Sequence, residues 1–357
     1  MVKEATLKLL RLHRYLSLAV AVIWILQAIT GLVLGFHRHL EDNWLDVSGQ
    51  PVNAEAVEAA IARVGARHGA VEELFAGGAE PGRFDVLLRH EGERQTRVWI
   101  DGADGRVLGT DLWEGPLDEM RPLHLAYLFH NEFFSGPLGK RFVSFSGLLL
   151  LTNLVLGLWL AWPTRGRWRQ ALFPPKSHSR SASAMLVHRS VGIWLAPVAI
   201  FVVFCGTLMV WRGEIEKGLG IAPPKPEAIE VVKPDVIQPA AAIRAAQARY
   251  PDGELAILVM PTPERPWYLI RLTRPSELRA TLGTTIVYVD AADGAVLEAW
   301  SPEEGHPVAA AVDSLYALHT GEWAGTAGRR MTFVVGLWLI AVTVYGVRLW
   351  LVRRRRA

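Results

Sequence analysis

The sequence holds one cysteine in 357 residues, Cys205, so no disulfide can form within the chain in any compartment. It holds no C-x-x-C-H, which excludes covalent c-type haem attachment. No G-x-G-x-x-G follows a strand-like run, so neither a flavin nor a nicotinamide motif is visible. Acidic residues are missing from four long uncharged stretches, which argues against ion transport through intramembrane carboxylates. Nothing in the pattern points to nucleic acid as a partner.

What is present is apolar. Hydrophobic residues make up 51% of the chain, charged residues only 20%, and there are 14 tryptophans, a balance that fits a membrane protein with sizeable soluble parts. The run Tyr15–Phe36 is uncharged over 22 residues, which as a helix is about 33 Å and enough to cross a bilayer. It is too long for a signal peptide and lacks a small-residue cleavage site, so an uncleaved anchor is expected. Further spans are expected at Phe142–Thr164, Ser190–Trp211 and Met331–Val347, the last continuing past Arg348. Lysine and arginine crowd the N-terminal 14 residues, the segment 165–189 and the tail Arg353–Arg356, while Glu4 is the only acid in these segments. These ends are expected to be cytoplasmic, with roughly 38–141 and 212–330 facing outward.

The chain also repeats. Leu12–Glu41 aligns without a gap on Val187–Glu216, so that His13 meets His188, Arg14 meets Arg189 and Gly31 meets Gly206. Each histidine leads its glycine by 18 residues, five helical turns, which puts both on one helix face and suggests clearance there for something flat and large. A second match sets His130 on His319, followed by Gly139 and Gly328, and then by Lys140-Arg141 and Arg329-Arg330. Gly147 with Gly336, and Gly157 with Gly346, keep that register and are expected to permit close helix packing. Between the halves of each repeat lies a stretch with one helix and a few strands. The first is expected at Asn53–His68, Arg83–His90, Gln95–Asp101 and Gly105–Thr110. The second is expected at Pro239–Tyr250, Glu254–Met260, Trp267–Thr273, Thr284–Asp290 and Gly294–Trp300. Both close on an Asp-Gly hairpin signal, at Asp104-Gly105 and Asp293-Gly294.

Both copies begin on the same side, so the repeats are parallel, related by an axis along the membrane normal. Such an axis sets His13 opposite His188 near one surface and His130 opposite His319 near the other. Two pairs of facing imidazoles are what two b-type haems need, and two axial histidines leave no site for oxygen, which suits electron transfer. His37 and His124 are further candidates for the outer haem, although His37 lies 24 residues from His13 and about 240° round a straight helix. Arg141, Arg329 and Arg330 (with Lys140) sit against the positive-inside trend and suit either head-group contact or haem propionates; Arg14 and Arg189 are weaker candidates for the same role. Tyr127, Phe129, Phe133, Phe134 and Trp323 beside the outer histidines are core or interfacial belt, or part of a docking wall. His39, His68, His90, His178 and His306 are expected to be solvated.

At LeuHisArg (Leu12–Arg14), Thr30-Gly31, ValHisArg (Val187–Arg189) and LeuHis-x8-GlyArg (Leu318–Arg329), the chain resembles the PepSY-associated transmembrane family. Its aspartate–glycine strands resemble PepSY modules. The resemblance implies an α-helical inner-membrane protein with four transmembrane helices in two parallel pseudo-repeats and two small α+β PepSY-like periplasmic domains. The expected layout is a first transmembrane helix in 1–40 and a periplasmic domain in 41–116. An amphipathic outer helix and second transmembrane helix follow in 117–164, a cytoplasmic loop in 165–187, and a third transmembrane helix in 188–214. A second periplasmic domain occupies 215–305, an outer helix and fourth transmembrane helix 306–352, and a basic tail 353–357. Some members resemble haem-containing reductases of ferric siderophores, which supplies the substrate class: a siderophore or other Fe(III) chelate. The electron donor would be a separate quinol or flavoprotein. The rival readings are a non-redox scaffold whose outer domains bind peptide, and a divalent-metal site built from His37, His39 and nearby acids.

Overall fold

A computed structural model describes residues 2–78, 82–90, 95–113, 122–175, 177, 179–226, 236–279 and 281–354. Lys176, His178, Arg355 and Arg356 lie outside the described residues. In chain order the elements of the first half are α1 (Val2–Leu34), α2 (His37–Asp42), α3 (Ala54–His68), β1 (Val71–Ala76), β2 (Arg83–Arg89), β3 (Gln95–Asp101), β4 (Val107–Trp113), α4 (Pro122–Glu132), α5 (Gly136–Ala161) and α6 (Trp168–Leu172). The second half gives α7 (Arg180–Trp194), α8 (Ala196–Met209), α9 (Arg212–Leu219), α10 (Pro239–Arg249), β5 (Glu254–Val259), β6 (Trp267–Thr273), β7 (Thr285–Asp290), β8 (Val296–Trp300), α11 (Pro307–Thr320) and α12 (Gly325–Arg354), the last preceded by a 3-10 turn at Glu322–Ala324. The chain folds as two units, a helical one (residues 1–35, 122–212 and 318–357) and a sheet one (residues 36–121 and 213–317).

The helical unit is built inside out. Three of its helices are long and apolar enough to cross a bilayer, Glu4–Leu34, Gly136–Ala161 and Glu322–Arg354. Their outward faces carry large apolar side chains such as Val22, Phe145 and Trp159, each exposed, while Ser144, Ser146 and Asn153 are buried between helices. Water would penalise that arrangement, and lipid favours it. The fourth expected span, drawn as continuous over Ser190–Trp211, is instead two helices, α7 and α8, bent by 59°. Pro197 accounts for the break: it offers no N–H, and its ring disfavours helical geometry in Ala196 and clashes with a carbonyl one turn back, so Leu195 falls outside both helices.

Packing interleaves the copies. α1 lies on α12, and its repeat mate α8 lies on α5. Gly147 and Gly336 sit at these crossings: a Cβ on Gly147 would stand 2.5 Å from Thr207 Oγ1, and one on Gly336 would stand 2.7 Å from Leu32 Cδ2. Close helix packing is what the sequence suggested for both.

The sheet unit departs from the expected pair of separate domains. Its strands form a single eight-stranded antiparallel sheet in the order β4-β3-β2-β1-β5-β6-β7-β8. The two copies join where β1 pairs with β5, Glu73 opposite Val259 and Phe75 opposite Ile257. Each half alone would leave an unpaired edge strand at this point, and pairing the two edges removes both. β1, with Glu72 and Glu73 at its start, lacks the alternation that marks a strand; partners on both sides hold it extended. The core is shared across the join, with Val57, Ile61 and Val64 of α3 and Ile243 and Ala246 of α10 packed with Leu74, Leu258 and Ile270. Asn53 caps α3, accepting from the backbone N–H groups of Glu55 and Ala56. The Asp-Gly hairpins form as expected, with Gly105 at φ 72° and Gly294 at φ 80° in the left-handed region that only glycine occupies cheaply.

One charged cluster is buried in the first half of the sheet. Arg83, fully buried, pairs with Glu41 (2.8 Å), Asp42 (3.2 Å) and Asp85 (3.6 Å), and donates to the Gly77 carbonyl. Burial raises the Asp85 carboxyl to about 6 despite Arg83 and Arg97 beside it. At the matching positions of the second half stand Trp267 and Leu269.

Candidate functional site: two facing histidine pairs

Within the helical unit the four repeat-matched histidines meet in two pairs. His13 of α1 faces His188 of α7 with ring centres 6.3 Å apart and planes tilted by 42°. His130 of α4 faces His319 of α11 at 6.2 Å and 35°. Metal–imidazole bonds are about 2 Å, so two imidazoles bound on opposite sides of one metal hold their ring centres roughly 6.3 Å apart. Both pairs stand at that separation.

Each ring is seated on a glycine of a neighbouring helix in its own copy. A Cβ added to Gly157 would lie 3.0 Å from His13 Cε1; to Gly346, 3.2 Å from His188; to Gly31, 2.9 Å from His130; and to Gly206, 2.6 Å from His319. This corrects the role expected for Gly31 and Gly206. They share a helix face with His13 and His188, but what fills the space above them is the imidazole of the other pair. Gly157 and Gly346, expected only to ease packing, do the same for His13 and His188.

The glycine seats bring a hydrogen bond with them. Four residues before each glycine, one turn down the same face, is a backbone carbonyl. Asn153 offers it to His13 Nδ1 at 3.2 Å, Gln27 to His130 Nδ1 at 3.0 Å and Val202 to His319 Nδ1 at 2.9 Å. The matching acceptor for His188 is the Val342 carbonyl, more loosely placed. A carbonyl only accepts, so Nδ1 carries the proton and Nε2 keeps the lone pair that a metal needs. The sequence carried no signal for the carbonyl itself, since Asn153, Gln27, Val202 and Val342 share no one side-chain type; only the repeat-matched glycines mark the place.

The remaining candidates are placed less centrally. His124 lies on α4 six residues before His130 and stacks on Tyr127, with ring centres 6.4 Å apart. His37 opens α2 in the sheet unit. The pairing therefore joins His130 to His319 and includes neither. Arg14 is exposed and lies over Tyr15. Arg189 donates to the Ala161 carbonyl at 3.0 Å, at the end of α5. Arg329 is within 3.8 Å of Glu322, and Lys140 within 3.9 Å of Glu132, the two acids lying three residues after His319 and two after His130 in the chain. Arg141 and Arg330 are exposed.

The aromatic group beside His130 is real and strained. Phe129 and Phe133 have ring centres 4.7 Å apart, and Phe133 and Phe142 5.0 Å. Phe133 and Phe134 adopt φ of 47° and 57°, a left-handed geometry that costs non-glycine residues on the order of 1 kcal/mol or more each. The second copy begins the equivalent turn with Gly321 at φ 84°. Trp323 sits exposed on that turn. His39 and His90 are partly buried, and His90 bonds Thr96 Oγ1 at 2.8 Å; His68 is partly covered and His306 is exposed. Among the described residues no three His, Cys, Asp or Glu side chains gather as a bare metal site.

No curated protein sequence matches the chain. Residues 10–353 match the family described as the PepSY-associated TM region, and with nearly the whole chain covered the protein belongs to that family.

Proposed function

We propose that the protein is a di-haem b membrane oxidoreductase. It would carry electrons from an inner-side donor, a quinol or a flavoprotein, to a ferric siderophore or similar Fe(III) chelate on the outer side of a bacterial inner membrane. The observation that carries this reading is the doubled geometry: two imidazole pairs at 6.3 and 6.2 Å, every ring seated on a glycine. Haem b supplies one-electron chemistry when bound. The chain's own residues do the rest. His13 with His188, and His130 with His319, would hold the two haems, and the backbone carbonyls that take Nδ1–H of His13, His130 and His319 leave each Nε2 free for a metal. The large apolar exteriors of α1, α5 and α12 set the unit in lipid. The excess of lysine and arginine in 1–14, 165–189 and 353–356 supports termini on the cytoplasmic side and favours an acidic donor protein. Tyr127, Phe129, Phe133, Phe134 and Trp323 offer an apolar wall for the chelate, with Lys140, Arg141, Arg329 and Arg330 near it. Reduction would loosen the chelate, because hard oxygen donors hold Fe(II) less firmly than Fe(III).

The test is an absorption spectrum of protein purified from haem-replete cells. A Soret band with sharp low-spin reduced bands is expected. His188→Ala should lose one of the two haems and His319→Ala the other, so each variant keeps about half the haem per chain. A colourless wild-type protein would overturn the reading.

A further inference from the structure

The first copy carries a row of polar side chains through the helical unit that the second copy lacks. On α1, Ser17, Trp24 and Gly31 recur every seven residues and lie on the face that contains buried Ala21 and Ala28. α5 runs antiparallel to it: Gly157 meets His13, and one turn on Asn153 Nδ2 donates to Ser17 Oγ at 2.8 Å. Seven residues further along each helix, in opposite directions, the same register brings Ser146 level with Trp24. Both are about 95% buried, and neither Trp24 Nε1 nor Ser146 Oγ has a hydrogen-bond partner in the protein. The same is true of Gln27 Oε1, one turn above, and of Asn153 Oδ1, two turns below. The seam is closed at both ends by direct bonds, Asn153 to Ser17 at the His13 end and Gln27 Nε2 to the His130 carbonyl (3.3 Å) at the other. In the second copy the corresponding residues are Gly192, Ala199, Val202, Val335 and Val342.

A polar atom left unsatisfied inside a membrane unit costs several kcal/mol, roughly the loss of a full hydrogen bond in hydrocarbon. Three of these atoms stand within about a turn of one another, a donor (Trp24 Nε1), a hydroxyl that is both (Ser146 Oγ) and an acceptor (Gln27 Oε1), and match the two to four partners that an internal water takes, while Asn153 Oδ1, two turns away, is a separate acceptor at the His13 end. Closure at both ends, and the flanking alanines, exclude a headgroup or quinone ring. We infer that the α1–α5 seam is a binding site for internal water, set between the levels of the two histidine pairs and confined to the first copy. Water there makes the surroundings polar on one side of the unit only. Polar surroundings favour the charged, oxidised state of a nearby metal centre, so the seam holds the potential of the adjacent haem down. That last consequence rests on the haem reading; the site itself does not.

X-ray radiolysis of the purified full chain, read by mass spectrometry, tests the site, because trapped water produces hydroxyl radical beside the side chains that hold it. Trp338 is the internal control. It is as buried as Trp24, 6% exposed against 5%, but its Nε1 donates to the Val191 carbonyl at 2.5 Å. Trp24 is expected to be oxidised several-fold faster than Trp338, and Ser146→Val with Gln27→Leu should bring it down to the Trp338 rate. Should the double variant fail to fold, the comparison within the wild-type chain still decides: equal rates for the two tryptophans overturn the proposal. In haem-loaded protein the same double variant should shift a midpoint potential to more positive values. Colourless protein with a fast Trp24 would remove the haem reading and keep the water site; coloured protein with a slow Trp24 would do the reverse.

Discussion

The helical unit and the sheet unit are both doubled, yet they keep different things equal. In the helical unit, two histidines, two glycine seats and two carbonyl positions recur in each copy. In the sheet unit, strand order and hairpins recur, but among the described residues the buried charge cluster around Arg83 has no counterpart at the matching positions, where Trp267 and Leu269 stand. On the proposed reading, a group held between the two copies would need the same contact from each, which would keep its ligands matched. A cluster that fastens one segment, here α2, to one half of a sheet has no such demand on the other half.

Filling a seat should break this comparison most sharply. Gly157→Val places methyl groups where the His13 ring lies, and on the proposed di-haem reading should remove one haem of the two while the chain still enters the membrane. Gly206→Val should act on the other haem. Haem per chain, set against total protein in the membrane fraction, measures both. The next largest effect is expected in the sheet unit. Arg83→Met leaves Glu41, Asp42 and Asp85 without their buried partner and should cost about 3–5 kcal/mol, read by denaturant unfolding. Trp267, at the matching position, has no ion pair among the described residues to lose.

A smaller effect concerns pH. Asp85 holds its proton to about 6 in the folded protein, against 3.8 for the free side chain. A raised carboxyl binds its proton more tightly when folded. Its contribution is therefore complete below 3.8 and is lost as the pH rises through about 6. Asp85→Asn should flatten that fall in unfolding free energy across the same window. Stability that still falls equally would assign the slope elsewhere, Glu73 being the next candidate since burial raises it too. Smallest of all, Asn53→Ala removes the α3 cap and should cost about 1 kcal/mol, with no change in haem content.

Much of the fold could be read from the chain because it rests on local rules. Asn53 before an apolar-periodic run marks the start of α3, Asp-Gly pairs mark hairpins, and long uncharged runs mark spans. Among the described residues, three helices long and apolar enough to cross a bilayer lie where such runs do. The fourth breaks at Leu195 because Pro197 acts on backbone geometry, which an index of apolarity does not see. β1 escaped for a related reason: Val71–Ala76 has no strand alternation of its own and is held by β2 and β5.

By itself the sequence determined the doubling, the four histidines and their partners, since a repeat needs only alignment to be seen and symmetry then dictates which residues face each other. Only the tertiary structure decided that the two soluble halves close into one sheet, and that each glycine seats the imidazole of another helix. It also decided that the polar row of α1 and α5 turns inward. Those outcomes depend on which helix lies against which and at what level, and side-chain contact between distant segments is a property of packing rather than of local pattern.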